Sequence, residues 1–241
     1  MKEDCYFLPA GYVTNQAVSF DQKDACYWDE ARANNSLAYQ VDVYDWALRL
    51  IKEKGLRSIA DVGCGNAAKL AVLHRAVPKV DTWGLDQPNA IELCRRHYDF
   101  GSWFPINLDQ PGQLPEIKFD LIVSSDVIEH LENPDVLLEA IRCMSHRDTL
   151  VLLSTPERIR LRGVACQHSP NAYHVREWSK QEFASYLHSR HYEILDHRVL
   201  PAFKFTHDIR FFQRALRRWV RLKSISYNQA VLTRAFLHPK G

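Results

Sequence analysis

The chain has 241 residues, 46% hydrophobic and 25% charged, with a net charge of only +2. That length suits one large domain or one domain with additions, and the balance is that of an ordinary soluble globular chain. No apolar run approaches the roughly 20 residues of a membrane helix. The N-terminus MKEDCYFLPAGYV also lacks the basic start and apolar core of a signal peptide.

The six cysteines are scattered, with no Cys-x-x-Cys pair. This spacing predicts reduced thiols in a cytoplasmic protein and no zinc site. Charge is uneven along the chain: Pro201 to Gly241 carries nine Lys and Arg against one acid, Asp208.

In chain order, residues 1–33 are aromatic-rich and irregular. Over 36–54, Leu37, Val41, Tyr44, Leu48 and Ile51 recur at helical spacing, and Gly55 stops the helix. Strands and helices then alternate. SIADVG (58–63) reads as a buried strand, and 66–77 as a helix ended by Pro78. VDTWGLD (80–86) reads as a strand, followed by a helix from Pro88. WFPIN (103–107) and FDLIVSSD (119–126) are further strands. Asn133-Pro134 starts a helix, because Asn caps and Pro suits a first turn. TLVLLST (149–155) is a fifth strand. Ser179 and Glu182 make a capping-box pattern before the next helix, and YEILDHRVL (192–200) is a late strand. Alternation of this kind predicts a parallel sheet covered on both faces. DIRFFQRALRRWVRLK, beyond residue 201, reads as an amphipathic basic helix.

The Gly63-Cys64-Gly65 turn follows the first strand, and Asp86 ends the second strand 21 residues after Gly65. A glycine turn lets ligand atoms approach backbone N–H groups, and an acid about 20 residues on can hold a ribose. The spacing points to a nucleoside cofactor.

ADVGCG, GLD, NLD and FDLIVSSDVIEHL, in that order over residues 56–155, resemble the class I S-adenosylmethionine-dependent methyltransferases. The resemblance implies an α/β, Rossmann-like, doubly wound seven-stranded sheet with its last strand antiparallel. It places Asp61, Gly63, Cys64 and Gly65 at the methionine end of the cofactor, with Ser124 nearby. Asp86 and Gln87 would meet the ribose, and Asn107 and Leu108 the adenine. Ala67 stands where such families often have a third glycine, and Asn107 where they often have an acid. A dinucleotide-dependent hydride-transfer enzyme is disfavoured.

Methyl transfer to a hydroxyl needs the acceptor aligned and its proton handled. DVIEH supplies Glu129 and His130 after the fourth strand. HSPNAYHVREW (168–178) supplies His174 as a candidate base and Arg176 as a candidate anion-binding group. The fifth-strand STP followed by HVREW resembles enzymes that methylate sugars, glycans and small metabolites, which sets O-methylation of a small, glycan-like or phosphorylated substrate as the expected activity. Asp126, Glu129, His130 and His174 also stand where small-RNA ribose methyltransferases hold a divalent ion, so a metal-dependent RNA reading is the alternative. A non-catalytic cofactor-binding subunit is the third reading. Tyr6, Phe7, Tyr12 and Phe20 suggest a lid, with Tyr12 against substrate. The expected organisation is an N-terminal extension (1–55), a cofactor-binding core (56–200) and a basic C-terminal extension (201–241). The basic helix is open between a solvated face, phosphorylated substrates, RNA and an anionic membrane surface.

Overall fold

Seven strands form one sheet in the order β3-β2-β1-β4-β5-β7-β6 in the computed structural model, which describes residues 6–18, 39–108, 112–201 and 227–236. The expected basic helix and Phe20 lie outside the described residues. Helix α1 (Val41–Lys54) leads into β1 (Ser58–Val62), α2 (Ala68–Ala76), β2 (Asp81–Asp86), α3 (Pro88–His97) and β3 (Ser102–Pro105). Then come β4 (Phe119–Ser125), a 3₁₀ turn (Ile128–His130), α4 (Asp135–Cys143), β5 (Ser145–Pro156) and α5 (Arg158–Arg162). Helix α6 (Lys180–Ser189), β6 (Tyr192–Pro201) and β7 (Tyr227–Ala235) complete the order.

Strands β1 to β5 pair in parallel, while β7 runs antiparallel to both β5 and β6. The α/β expectation and the reversed last strand are therefore found. The division at residue 200 is not how the sheet is built. Strand β7 lies beyond it, yet sits between β5 and β6, with Leu152 opposite Leu232 and His197 opposite Val231. Its residues Asn228 to Leu232 are buried, so the C-terminal segment closes the core instead of extending from it.

The sheet is apolar on both faces, as helices on both sides require. Ile122, Val151, Leu153 and Val231 join Leu137, Ile141, Phe183 and Leu187 of α4 and α6. On the other face Ile59, Leu121, Val123 and Leu152 meet Ala47, Leu50, Leu70 and Ile91 of α1, α2 and α3. Local signals set the helix ends. Asn133 Oδ1 accepts from Asp135 N at 3.1 Å ahead of α4. Ser179 and Glu182 form the complete reciprocal capping box of α6. Gly55 takes φ 64° and ends α1.

Residues 6–18 run as a strap along the 163–178 loop. Val13 N donates to Gln167 O (2.7 Å) and Asn15 N to Val175 O (2.9 Å), while Trp178 Nε1 donates to Tyr6 O (2.9 Å). Tyr6 and Leu8 pack on the core beside Trp178 and Tyr186. Of the aromatic residues expected to roof the site, Tyr6 packs beside Arg176 and Trp178, and Tyr12 Oη accepts from Glu177 N, so both hold the 163–178 loop.

Candidate functional site

The carboxyl ends of β1, β2 and β4 open into one cavity of about 470 Å³, within the usual range for small-ligand sites. The glycine turn forms one wall. Gly63 adopts φ 85°, and a Cβ there would lie 2.2 Å from Val127 Cγ2, so a side chain is excluded sterically as well as conformationally. Ala67 takes φ 54°, the left-handed region that a glycine would occupy without strain.

Asp86 lines the cavity beside the glycine turn. Its Oδ2 accepts from Gly65 N and its Oδ1 from Gln87 N, both at 2.7 Å. Burial raises its pKa, and these two N–H groups oppose the rise. A carboxylate has about four acceptor positions, so two remain for a diol. Ala90, Ile106 and Leu108 supply apolar wall beside it. This donor and acceptor set fits an adenosyl group. Cys64 and Gln87 also line the cavity, whereas Asn107, flanked by two lining residues, does not. Ser124 is another departure: it is buried, and its hydroxyl donates to Val62 O at 2.8 Å, tying β4 to β1. Its neighbour Ser125 lines the cavity instead. In a strand, adjacent side chains alternate faces, and the sequence window was one residue off.

Asp61 is 1% exposed; Oδ2 accepts from Tyr44 Oη at 2.7 Å. Its Oδ1 has no hydrogen-bond partner among the described residues. Burial lifts the group to about 6, against the pull of the Tyr44 hydroxyl and the Lys69 charge.

Glu129, His130 and His174 meet at the other end, each offering one ligand-capable atom within 4.8 Å of the others. Glu129 is fully buried; Thr155 Oγ1 donates to its Oε2 at 3.0 Å, and Oε1 has no partner among the described residues. Burial, with the Asp126 charge second, holds its carboxyl well above the usual range. His130 Nδ1 lies 2.7 Å from Tyr173 O. A carbonyl only accepts, so Nδ1 carries the hydrogen and Nε2 the lone pair. Burial, then His174, lowers His130 to about 4. His174 Nδ1 donates to Glu177 Oε1 (2.7 Å), and its Nε2 accepts from Asn171 Nδ2 (2.8 Å). Glu177 is held down to about 2 because His174, Arg162 and Ser169 all donate to it, outweighing its burial.

Three expectations do not hold in this geometry. Asp126 lines the cavity but is outside the ligand cluster. Its carboxylate already accepts from Gln40 Nε2 (2.6 Å), Ser154 Oγ (2.8 Å) and Asn228 Nδ2 (2.6 Å). Arg176 is buried away from the cavity. Its Nη1 and Nη2 donate to Leu131 O (3.0 Å) and Glu132 O (2.8 Å), and its guanidinium lies 4.4 Å from the Tyr6 ring centroid. Tyr12 also lies outside the cavity lining; its hydroxyl accepts from Glu177 N at 2.9 Å.

Sequence reasoning missed Gln40, Lys69 and Asn171 in the wall and Thr155 behind Glu129. Lys69 had a usable signal, one helical turn after Gly65. Gln40 had none, since only the fold brings it to Asp126.

Residues 34–197 match the family model described as a methyltransferase domain. No curated protein matches the sequence significantly. Among solved structures, the plantazolicin methyltransferase BpumL in complex with SAH is 18% identical, with TM-score 0.54 and coverage of 86% of each chain. BamL, a plantazolicin methyltransferase in complex with a triazolic desmethylPZN analog and SAH, is 17% identical. Its TM-score is 0.58, covering 86% of this chain and 87% of that one. The [4+2]-cyclase SpnF is 11% identical, with TM-score 0.66 over 94% of this chain and all (100%) of its own. At these identities the likeness is one of fold.

Proposed function

Because the chain belongs to the methyltransferase-domain family, whose methyl donor is S-adenosylmethionine, we propose that it methylates a hydroxyl oxygen of a small polar or sugar-like molecule. One observation carries this reading: a single cavity joins Asp86 and the glycine turn at one end to Glu129, His130 and His174 at the other. The fold alone does not decide the chemistry, as the cyclase among its neighbours illustrates.

The cofactor supplies an electrophilic methyl on a sulfonium. The chain's own task is to align the acceptor and take its proton. With the cofactor bound, the acceptor hydroxyl would give up its proton to His130 Nε2. Tyr173 O fixes the His130 tautomer for that role. Glu129, its carboxyl pushed up by burial and by the Asp126 charge, would hydrogen-bond the acceptor through Oε1. His174 is aligned by Glu177 and Asn171 and shapes the pocket edge.

Methylation is measured with labelled S-adenosylmethionine and a panel of polyols, sugars and phenols. His130→Ala lowers kcat roughly 10²-fold or more while S-adenosylhomocysteine affinity holds. Undiminished turnover in that variant contradicts the proton-acceptor role.

The three-residue ligand cluster favours a second reading, in which Glu129, His130 and His174 hold a divalent ion. Glu129 would then be ionised, and Asn171 would release His174. Loss of activity in EDTA with recovery on Mg, Mn or Zn distinguishes the two. Activity on RNA that weakens steeply with salt would extend the metal reading to a nucleic-acid acceptor.

A further inference from the structure

Resting on that reading of the reaction, we propose that Asp126 is a positioning residue: it gathers Gln40, Ser154 and Asn228 onto one carboxylate and so fixes the turn that carries Glu129 and His130 into the cavity.

Asp126 stands between the end of β4 at Ser125 and the 3₁₀ turn that begins at Ile128. Its backbone is left-handed, at φ 55°, and so is that of Gln40, at φ 53°. Residues other than glycine keep such conformations where surrounding contacts fix them. Here the contacts lie on the carboxylate. Ser154 Oγ donates to Oδ1 at 2.8 Å and Gln40 Nε2 to Oδ2 at 2.6 Å. Asn228 Nδ2 reaches both oxygens, at 2.7 and 2.6 Å. The Asp126 backbone N also donates to Ser154 O at 3.0 Å. Donors from β5, β7 and the residue before α1, all remote in sequence, thus converge on one side chain.

The constraint passes directly to the reacting groups. The next residue, Val127, abuts the glycine turn, since a Cβ on Gly63 would lie 2.2 Å from Val127 Cγ2. Val127 O accepts from His130 N at 3.0 Å and closes the 3₁₀ turn. Gln40 and its neighbour Tyr39 line the same cavity as Glu129 and His130. Gln40 is also tied to α2, where Lys69 Nζ donates to its Oε1 at 3.0 Å. One carboxylate therefore sets two parts of the wall. Asn228 lies beyond residues 34–197, so the match to the family model does not account for its place here.

The rival explanation is that these contacts only tie β7 to β4 and β5. Exchanging the partners separates the two. Asn228→Asp sets two carboxylates against each other, and Asp126→Asn leaves one acceptor oxygen for three donors. The double variant restores one acid and one amide. Each single variant should lower kcat about tenfold to a hundredfold, as a displacement of about 1 Å does. S-adenosylhomocysteine affinity should stay within about threefold, and the double variant should regain most of the rate. A role in the fold alone would lower the melting temperature and leave kcat unchanged. The His130 Nδ1 proton, held on Tyr173 O at 2.7 Å, gives a readout that needs no acceptor. By NMR of the full chain with isotope-labelled histidine, its resonance should shift or broaden in both single variants and return in the double. An unchanged resonance or an unchanged kcat in both single variants overturns the assignment. So does a double variant no better than the worse single one. If the wild type methylates nothing in the acceptor panel, the acceptor reading fails, while the His130 resonance still decides the role of Asp126.

Discussion

Replacing Asp86 with alanine removes the carboxylate that accepts from Gly65 N and Gln87 N, lines the cavity and is proposed to hold the ribose. Two ribose hydroxyls bonded to an ionised carboxylate are together worth roughly 3–6 kcal/mol. Their loss raises the Kd for S-adenosylhomocysteine about 10²- to 10⁴-fold. The cost to the fold is smaller. Burial already disfavours the Asp86 charge, so alanine removes a penalty along with the two hydrogen bonds, and water in the cavity can serve the freed N–H groups. Calorimetry gives the affinity, and thermal unfolding shows that the variant is folded. A ribose-modified ligand lacking one hydroxyl should bind the wild type more weakly and show little further loss in Asp86→Ala. A variant that melts like wild type and binds within about threefold of it would refute the ribose assignment.

Asp61 makes stability pH-dependent. Burial raises its carboxyl to about 6, with Asp86 adding to the rise and Tyr44 and Lys69 opposing it. A carboxyl raised in the fold loses stability as pH climbs through its folded value, so the melting temperature should fall as pH rises through about 6, and Asp61→Asn should flatten that fall. Identical pH profiles of melting for wild type and Asp61→Asn would contradict the shift. Arg176→Met should lower the melting temperature by roughly 5–15 °C, because the Leu131 and Glu132 carbonyls lose buried donors. An unchanged melting temperature with a raised KM would instead return Arg176 to substrate binding. Gly63→Ala should abolish cofactor binding, since its Cβ and Val127 Cγ2 cannot both keep their places; wild-type affinity in that variant would contradict the turn geometry.

The strands around the glycine turn were legible because parallel strands buried on both faces read as apolar runs, and β1, β2 and β4 stand within a residue or so of their expected ranges. Asp86 was legible from spacing alone. Strand β7 was not: YNQAVLTRA follows a basic stretch that reads as helix, carries polar residues among its apolar ones, and owes its burial to its place between β5 and β6. Arg176 and Tyr12 misled for a physical reason. A long cation or phenol beside a functional loop has the same signature whether it faces ligand or holds the loop, and here both hold it. Glu129 and His130 were picked out by type and position, but their shifted protonation comes from burial and from Asp126 and His174, neighbours that only the fold supplies.

The most direct measurement is a crystal structure of the chain soaked or grown with S-adenosylhomocysteine. The account requires the ribose on Asp86 and the thioether sulfur turned toward Glu129 and His130. A ligand elsewhere, or one whose sulfur faces away from that pair, would contradict it.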